Sequence, residues 1–504
     1  METRGGYDVV IVGGGTAGAV VAARLVERGA TVCLVEAGPS DVGDERVLRL
    51  RNWINLLESE LDYDYPITEQ PRGNSRIRHS RAKVLGGCSS HNTMISFLPP
   101  PADFADWVAA GAAGWTYDSL FPLFQRLRTN IVPVAPRHRN ALTEAFVAAS
   151  AEALGVPVVE DFNAKPFADG AGFAPVGYYP ETGVRSSSSV AYLHPILDHP
   201  NLTLLTGTWA YDIEVDGGRA VSVATSRGEI RGDQFVLCAG AIDTPRLLLL
   251  AGIGPAADLG GRTTIDLPGI GANLLDHPES IIMWEATRPL PDEAAMDADA
   301  VLFVRRDTAQ DRPDLMFHIY QLPFTVNTEP LGYPVVDNCF GLTPNVPRPR
   351  SRGRLTLADD RPDTKPLLDF RYFTDPEGYD ERTVVEGLRI AREVARAAPL
   401  RDWIAREIAP GPALTTDEEL STYGRAAHHT VYHPAGTCRI GAPGDPLAVV
   451  DPQLRLRGLA NVRIADASVF PTLPSVNPMV TVLLVAERCA DLMTAGPATA
   501  DLVT

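Results

Sequence analysis

The residues best suited to chemistry lie late in the chain, in Tyr432-His433-Pro434-Ala435-Gly436-Thr437 and, further on, Asn477-Pro478. A neutral imidazole with a pKa near ~6.5 accepts a hydroxyl proton at physiological pH. The imidazolium so formed, with an amide donor beside it, stabilises an alkoxide. Hydride leaves a carbinol carbon readily only when that proton is going or gone, so a histidine with an amide beside it would suit such chemistry, but only a fold can bring the two together. A single histidine is as readily structural, and His433 alone decides nothing. His428 and His429 precede it at a spacing that could suit a metal, but no HExxH or other ligand set accompanies them. The sequence predicts no metal site.

The other chemical feature opens the chain. Gly13-Gly14-Gly15-Thr16-Ala17-Gly18 is a GxGxxG turn, which lets a pyrophosphate approach the backbone at a helix N-terminus. Glu36 follows about 20 residues on, where a carboxylate can accept hydrogen bonds from an adenosine ribose. This pattern predicts dinucleotide binding without choosing between FAD and NAD.

The elements around these motifs are those such a site needs. Residues 7–12 read as a buried strand, 19–28 as a helix and 31–35 as a second strand, a βαβ unit that implies a parallel sheet. The same style returns in a strand over 234–239, a helix over 244–251, a strand over 462–465 and a helix over 480–493. Between them, residues 152–185 are rich in Gly, Pro and aromatics. Residues 285–430 carry strand-like alternation at 300–304 and 315–322, then a helical run over 379–398. The expected organisation is an FAD- or NAD-binding domain from 1–151, 186–284 and 431–504, with a substrate-binding domain inserted as 152–185 and 285–430.

Composition narrows the class. A chain of 504 residues exceeds what one core usually organises. No window approaches the roughly 20 apolar residues needed to span a bilayer, and the run Val9–Val12 is too short for a signal-peptide core. A cytoplasmic protein with no membrane partner is expected. The six cysteines form no CxxC pair, which argues against a zinc module or a disulfide framework. A net charge of −18 disfavours nucleic acid.

Two longer stretches choose the cofactor. Residues 81–95, Arg-Ala-Lys-Val-Leu-Gly-Gly-Cys-Ser-Ser-His-Asn-Thr-Met-Ile, resemble the first signature of the glucose–methanol–choline family of FAD-dependent oxidoreductases. Residues 240–254 resemble its second, departing at Ala251, where the family usually has Ser. Arg78–Lys83, Ser90-His91-Asn92, Arg185–Ser189, Asp276–Glu279 and Phe373–Gly378 are most similar to its choline-oxidising branch. The resemblance implies an α/β fold, with a Rossmann-like FAD-binding domain and an inserted α+β substrate domain built on an antiparallel sheet.

It also implies roles. His433 and Asn477 stand together over the flavin N5, with His318 as a second active-site histidine and Thr93 replacing a serine. Gly13, Gly15, Thr16, Ala17, Gly18, Glu36, Tyr63 (for a tryptophan), Gly87, Ser90, Asn92, Ala210, Asp466, Ala467 and Pro478 hold FAD, and His91 attaches it covalently at the 8α-methyl. Glu285 pairs with a substrate ammonium, Trp53 and Tyr432 offer ring faces to the cation, and Val431 lies near the flavin C4a. A small-molecule alcohol, O2 as electron acceptor and a homodimer are further expectations.

The likeness fades at Met296–Ala300, where a cage tryptophan is missing. That acidic stretch reads either as a solvated loop or as a pocket for a larger or differently charged cationic alcohol. Three functional readings stay open: an alcohol oxidase acting on an amino or quaternary-ammonium alcohol, with the acid as a further product; a dehydrogenase with another acceptor; and a hydroxynitrile lyase with no net redox change.

Overall fold

The computed structural model describes residues 6–164, 167, 169–306 and 309–494; the ends of the expected FAD-binding segments, 1–5 and 495–504, lie outside the described residues. Two sheets organise the chain. In the first, the order is Leu202–Leu205, Val32–Val35, Tyr7–Val12, Gly228–Leu237, Arg219–Thr225, Ala210–Asp216, and Val462–Ile464 also pairs with Gly228–Leu237. Tyr7–Val12 runs parallel to both its neighbours, with Val10 opposite Cys33 and Val12 opposite Leu237. Strands covered on both faces must be apolar throughout, and Val10, Ile11, Cys33 and Leu34 are fully buried. The helix Thr16–Glu27 crosses between the first two strands and packs on the helix Met479–Thr494. Glu487, wholly buried on that last helix, is ion-paired to Arg24 and Arg126.

Parallel strands present their C-terminal ends together, and ligands of such sheets bind there. Gly13, Glu36, Thr208, Cys238 and Asp466 each follow one of these strands.

The second sheet has the order Ile404–Ala409, Ile282–Ala286, Cys339–Asn345, Leu315–Tyr320, Ala300–Val304, Gly170–Phe173, Val158–Val159. Its pairings are antiparallel except the last. The strand Ile282–Ala286, which the expected boundary at 284/285 would divide, lies wholly in this sheet. Pro278–Glu279 joins it too, pairing with Asn345 and with His429–Thr430. That pairing brings Glu279 toward the segment that carries His433.

Two further expectations are corrected. The helix read as 244–251 spans Gly240–Leu250. Pro245 has no N–H to give the Ala241 carbonyl four residues back, and Thr437 Oγ1 donates to that carbonyl at 2.6 Å instead. The stretch Met296–Ala300 is no solvated loop: Met296, Ala298 and Asp299 are buried. The Asp299 carboxylate accepts the N–H groups of Ala295 and Met296 at 3.1 and 3.2 Å. Trp53 Nε1 donates to the Met296 carbonyl at 2.8 Å, and Arg51 holds the Asp297 carboxylate.

Candidate active site

A cavity at the C-terminal ends of the first sheet is lined by Gly13, Gly15, Thr16, Ala17, Glu36, Tyr63, Gly87, Trp209, Ala210, Asp466 and Ala467, among others. A second is lined by Trp53, His91, Asn92, Thr93, Ala298, His318, Tyr320, Phe324, Val431, Tyr432, His433, Asn477 and Pro478. Thr16, Arg81, Cys88, Pro434, Ala467 and Val482 border both, so the two cavities adjoin.

The first cavity fits a dinucleotide. A Cβ on Gly18 would lie 1.9 Å from the Gly13 carbonyl oxygen, so this glycine serves the turn and not the ligand. A Cβ on Gly87, whose φ is +54°, would come within 2.6 Å of the Gly15 Cα. Two glycine loops therefore face each other and leave a backbone-lined cradle. Gly87→Ala should close it, and the expected result is purified protein with little bound FAD, read from the flavin-to-protein absorbance ratio. Glu36 accepts the N–H of Gly14 at 2.8 Å and of Gly38 at 2.7 Å; burial pushes its carboxyl up to about 7, against those donors. Asp466 accepts from Gly240 N, Thr244 Oγ1 and Ser468 N, fixing the start of one helix and the Ala467 turn. Tyr63 stacks on Tyr65 and meets the Trp209 ring edge-on.

The second cavity holds the candidate chemistry. His277 Nε2 lies 3.0 Å from the Pro347 carbonyl, which only an N–H can satisfy. Its Nδ1 is then a lone pair, and His433 Nδ1, 2.9 Å away, must be the donor to it. That leaves His433 Nε2 unprotonated in a residue that lines the cavity. Burial above all, then the charge a proton would meet at neighbouring His277, Arg81, His318 and His79, holds its pKa well below the usual value, so the base rests neutral. His318 is pushed down to about 4 by burial, opposed by the nearby Asn477 amide. The two stop short of a well-formed hydrogen bond: both His318 nitrogens and Asn477 Oδ1 are buried without partners. Buried polar atoms are rarely left unpaired, and here three of them belong to residues that line one cavity.

His91 is 5% exposed, with Nε2 2.9 Å from the Leu56 carbonyl; burial lowers its pKa to about 4 and keeps the ring neutral. The rings of Trp53, Tyr320, Phe324 and Tyr432 line the cavity, and His429 links the last two, with successive centroids 6.5, 5.1, 5.3 and 5.1 Å apart. Ala298 is the small residue set among them.

Three expected residues are placed elsewhere. Gly18 packs in the turn, and Ser90 is buried with its hydroxyl donating to the Leu85 carbonyl. Glu285 sits at the sheet periphery, half-exposed and ion-paired to Arg406 at 2.6 Å; it does not reach the cavity. The carboxylate that does stand near the rings is Glu279. It is 1% exposed, Oε2 has no partner, and burial pushes its pKa up to about 8 beside the Thr343 and Tyr320 hydroxyls. Glu279, Asp276, His277 and Arg81 carry no signal of their own in the sequence, although all four stand inside segments that resemble the family.

These features define a flavin-dependent oxidoreductase: residues 7–279 and 349–486 match the N- and C-terminal parts of the GMC oxidoreductase family, and the chain belongs to it. It is an FAD-dependent enzyme that oxidises an alcohol. The chain is 45% identical to choline oxidase of Arthrobacter globiformis, over 97% of this chain and 94% of that protein. It is 33% identical to an alcohol dehydrogenase [acceptor] of Pseudomonas putida, over 97% and 95%. The crystal structure of pyridoxine 4-oxidase from Mesorbium loti superposes with a TM-score of 0.89 at 30% identity, covering 96% of this chain and 98% of that one. Among the described residues, no helix is long and apolar enough to cross a membrane and no side-chain cluster is arranged to hold a metal ion.

Proposed function

We propose that this enzyme oxidises a cationic alcohol, choline or a bulkier quaternary-ammonium alcohol, to its aldehyde, with O2 as the electron acceptor and FAD attached through His91. The observation that carries the reading is the convergence, in one cavity, of the free nitrogen of His433 with the unpartnered polar atoms of His318 and Asn477. A hydroxyl placed among them gives its hydrogen to His433 Nε2 and accepts on its oxygen from the His318 N–H and the Asn477 side-chain NH2. His433 Nε2 takes the hydroxyl proton, while His318 and the Asn477 amide hold the substrate oxygen as the carbonyl forms. What FAD supplies when bound is an acceptor for the hydride of the carbinol C–H bond. Rings on several sides and Glu279 behind Tyr320 suit a cation, and likeness to choline oxidase favours the same substrate class. Ala298, set among the rings, leaves room for a substituent larger than methyl. The neutral imidazole of His91 keeps the lone pair that attachment at the flavin 8α-carbon requires.

In air, choline or a homologue should yield hydrogen peroxide and aldehyde together without an added acceptor. Turnover that appears only with an artificial acceptor would make the enzyme a dehydrogenase. Acid precipitation should leave yellow colour in the protein pellet, and His91→Ala should release it to the supernatant; free flavin from the unaltered protein contradicts the covalent link.

A further inference from the structure

Two charged side chains grip opposite ends of one peptide group beside the base. Tyr432 has φ +61°, the left-handed region that a bulky side chain rarely adopts. Its carbonyl accepts a hydrogen bond from Arg81 Nη2. The other end of the same peptide, the His433 N–H, donates to Asp276 Oδ1 at 2.9 Å. The N–H of Tyr432 itself donates to Thr430 Oγ1 at 2.7 Å. Neither charged residue is loose: Arg81 Nε donates to the Ser80 carbonyl, and Asp276 Oδ2 accepts from the Tyr372 hydroxyl at 2.6 Å, which His79 Nε2 meets at 3.0 Å.

A residue in a sparsely populated backbone region persists only where its surroundings over-determine it. Here a cation fixes the carbonyl and an anion fixes the N–H, a pairing stronger than two neutral hydrogen bonds. With either charge gone, the turn through 431–433 is free to relax, and His433 moves with it. Arg81 also borders both cavities where they meet. We propose that Arg81 and Asp276 form a clamp on the Tyr432–His433 peptide, and that Arg81 is a positioning residue holding the His433 imidazole in register with His318 and Asn477. The proposal rests on His433 being the base, so His433→Ala is measured alongside.

The test uses FAD-loaded full-length enzyme carrying Arg81→Met, Arg81→Lys or Asp276→Asn. Backbone amide exchange over 430–434 should quicken about tenfold or more in Arg81→Met and Asp276→Asn while residues 7–35 keep their protection. The limiting rate of anaerobic flavin reduction by the alcohol should fall about 100-fold with KM within about threefold. Arg81→Lys should fall between, because a point charge replaces a fork of donors. Since burial, His277, His318 and His79 lower the base's pKa as well as Arg81, loss of this one cation should raise that pKa only part of the way to its ordinary value. Wild-type exchange and wild-type reduction in both Arg81→Met and Asp276→Asn would overturn the clamp. Should His433→Ala reduce normally, the base assignment fails instead, and amide exchange still reads the clamp. If Arg81→Met holds no FAD, Asp276→Asn decides, since Asp276 lines neither cavity.

Discussion

Replacing His433 with alanine should slow flavin reduction by an alcohol about 10²- to 10⁴-fold, the range for losing a positioned general base. Binding should change much less, because the rings and Glu279 remain. The reasoning starts from the tautomer. The Pro347 carbonyl sets the proton on His277 Nε2, and that in turn sets the proton on His433 Nδ1. The nitrogen left bare is Nε2, in a ring that burial keeps neutral. A glutamine at 433 keeps hydrogen bonding but cannot carry the proton, so His433→Gln should be nearly as slow as the alanine variant. Rapid anaerobic mixing reads the rate directly. A limiting rate within a few-fold of wild type for both variants removes His433 from the mechanism.

The second large effect concerns Glu279. Removing one partner of a buried charge pair typically costs about 2–5 kcal/mol, so Glu279→Gln should lower kcat/KM for a cationic alcohol at least about 30-fold. A neutral isostere of the same shape should lose little. The pH dependence follows from the same group. With its pKa raised to about 8, Glu279 is protonated in the empty enzyme below that pH, and an arriving cation must displace the proton. Thus kcat/KM for the cation should climb as pH rises toward about 8 and level off above it. The neutral isostere should lack that limb, and so should Glu279→Gln with the cation. A rising limb for both substrates would assign it to another group. Glu285→Gln is the useful contrast: its carboxylate is paired at the sheet periphery, and kcat/KM should stay near wild type.

The division between what the residues announced and what only the fold disclosed follows physical lines. The opening βαβ unit was legible because apolar strands, a glycine turn and a carboxylate at the second strand end occupy consecutive sequence. His433, Asn477, His318 and the residues around Gly87 and His91 were readable because long motifs carry them. The antiparallel strands over 210–231 were not, since half-exposed alternation with polar residues such as Asp212, Glu214 and Arg231 gives a weak signal. Glu279 and Glu285 show the limit best. Both are glutamates in strands that pair with Cys339–Asn345 of one sheet, and nothing local separates them. Strand pairing with His429–Thr430 buries the first beside Tyr320, while the second meets Arg406 at the periphery. The acidic look of Met296–Ala300 misled for a related reason: burial pushes the Asp299 carboxyl up to about 8 even as it accepts backbone N–H groups, and Asp297 is held by Arg51. The fate of a charge depends on its surroundings, and for Asp297 the partner, Arg51, is distant in sequence.

The central claim is that this enzyme takes a hydride from the carbinol carbon of a cationic alcohol after His433 removes the hydroxyl proton. The most direct test is anaerobic mixing of the FAD-loaded enzyme with choline and its N-alkyl homologues, protiated and dideuterated at the carbinol carbon. The account predicts loss of the oxidised-flavin absorbance, slower for the deuterated alcohol, and nearly abolished in His433→Ala. Release of an aldehyde with the flavin absorbance unchanged, or no bleaching by any alcohol while His433 is intact, would contradict it.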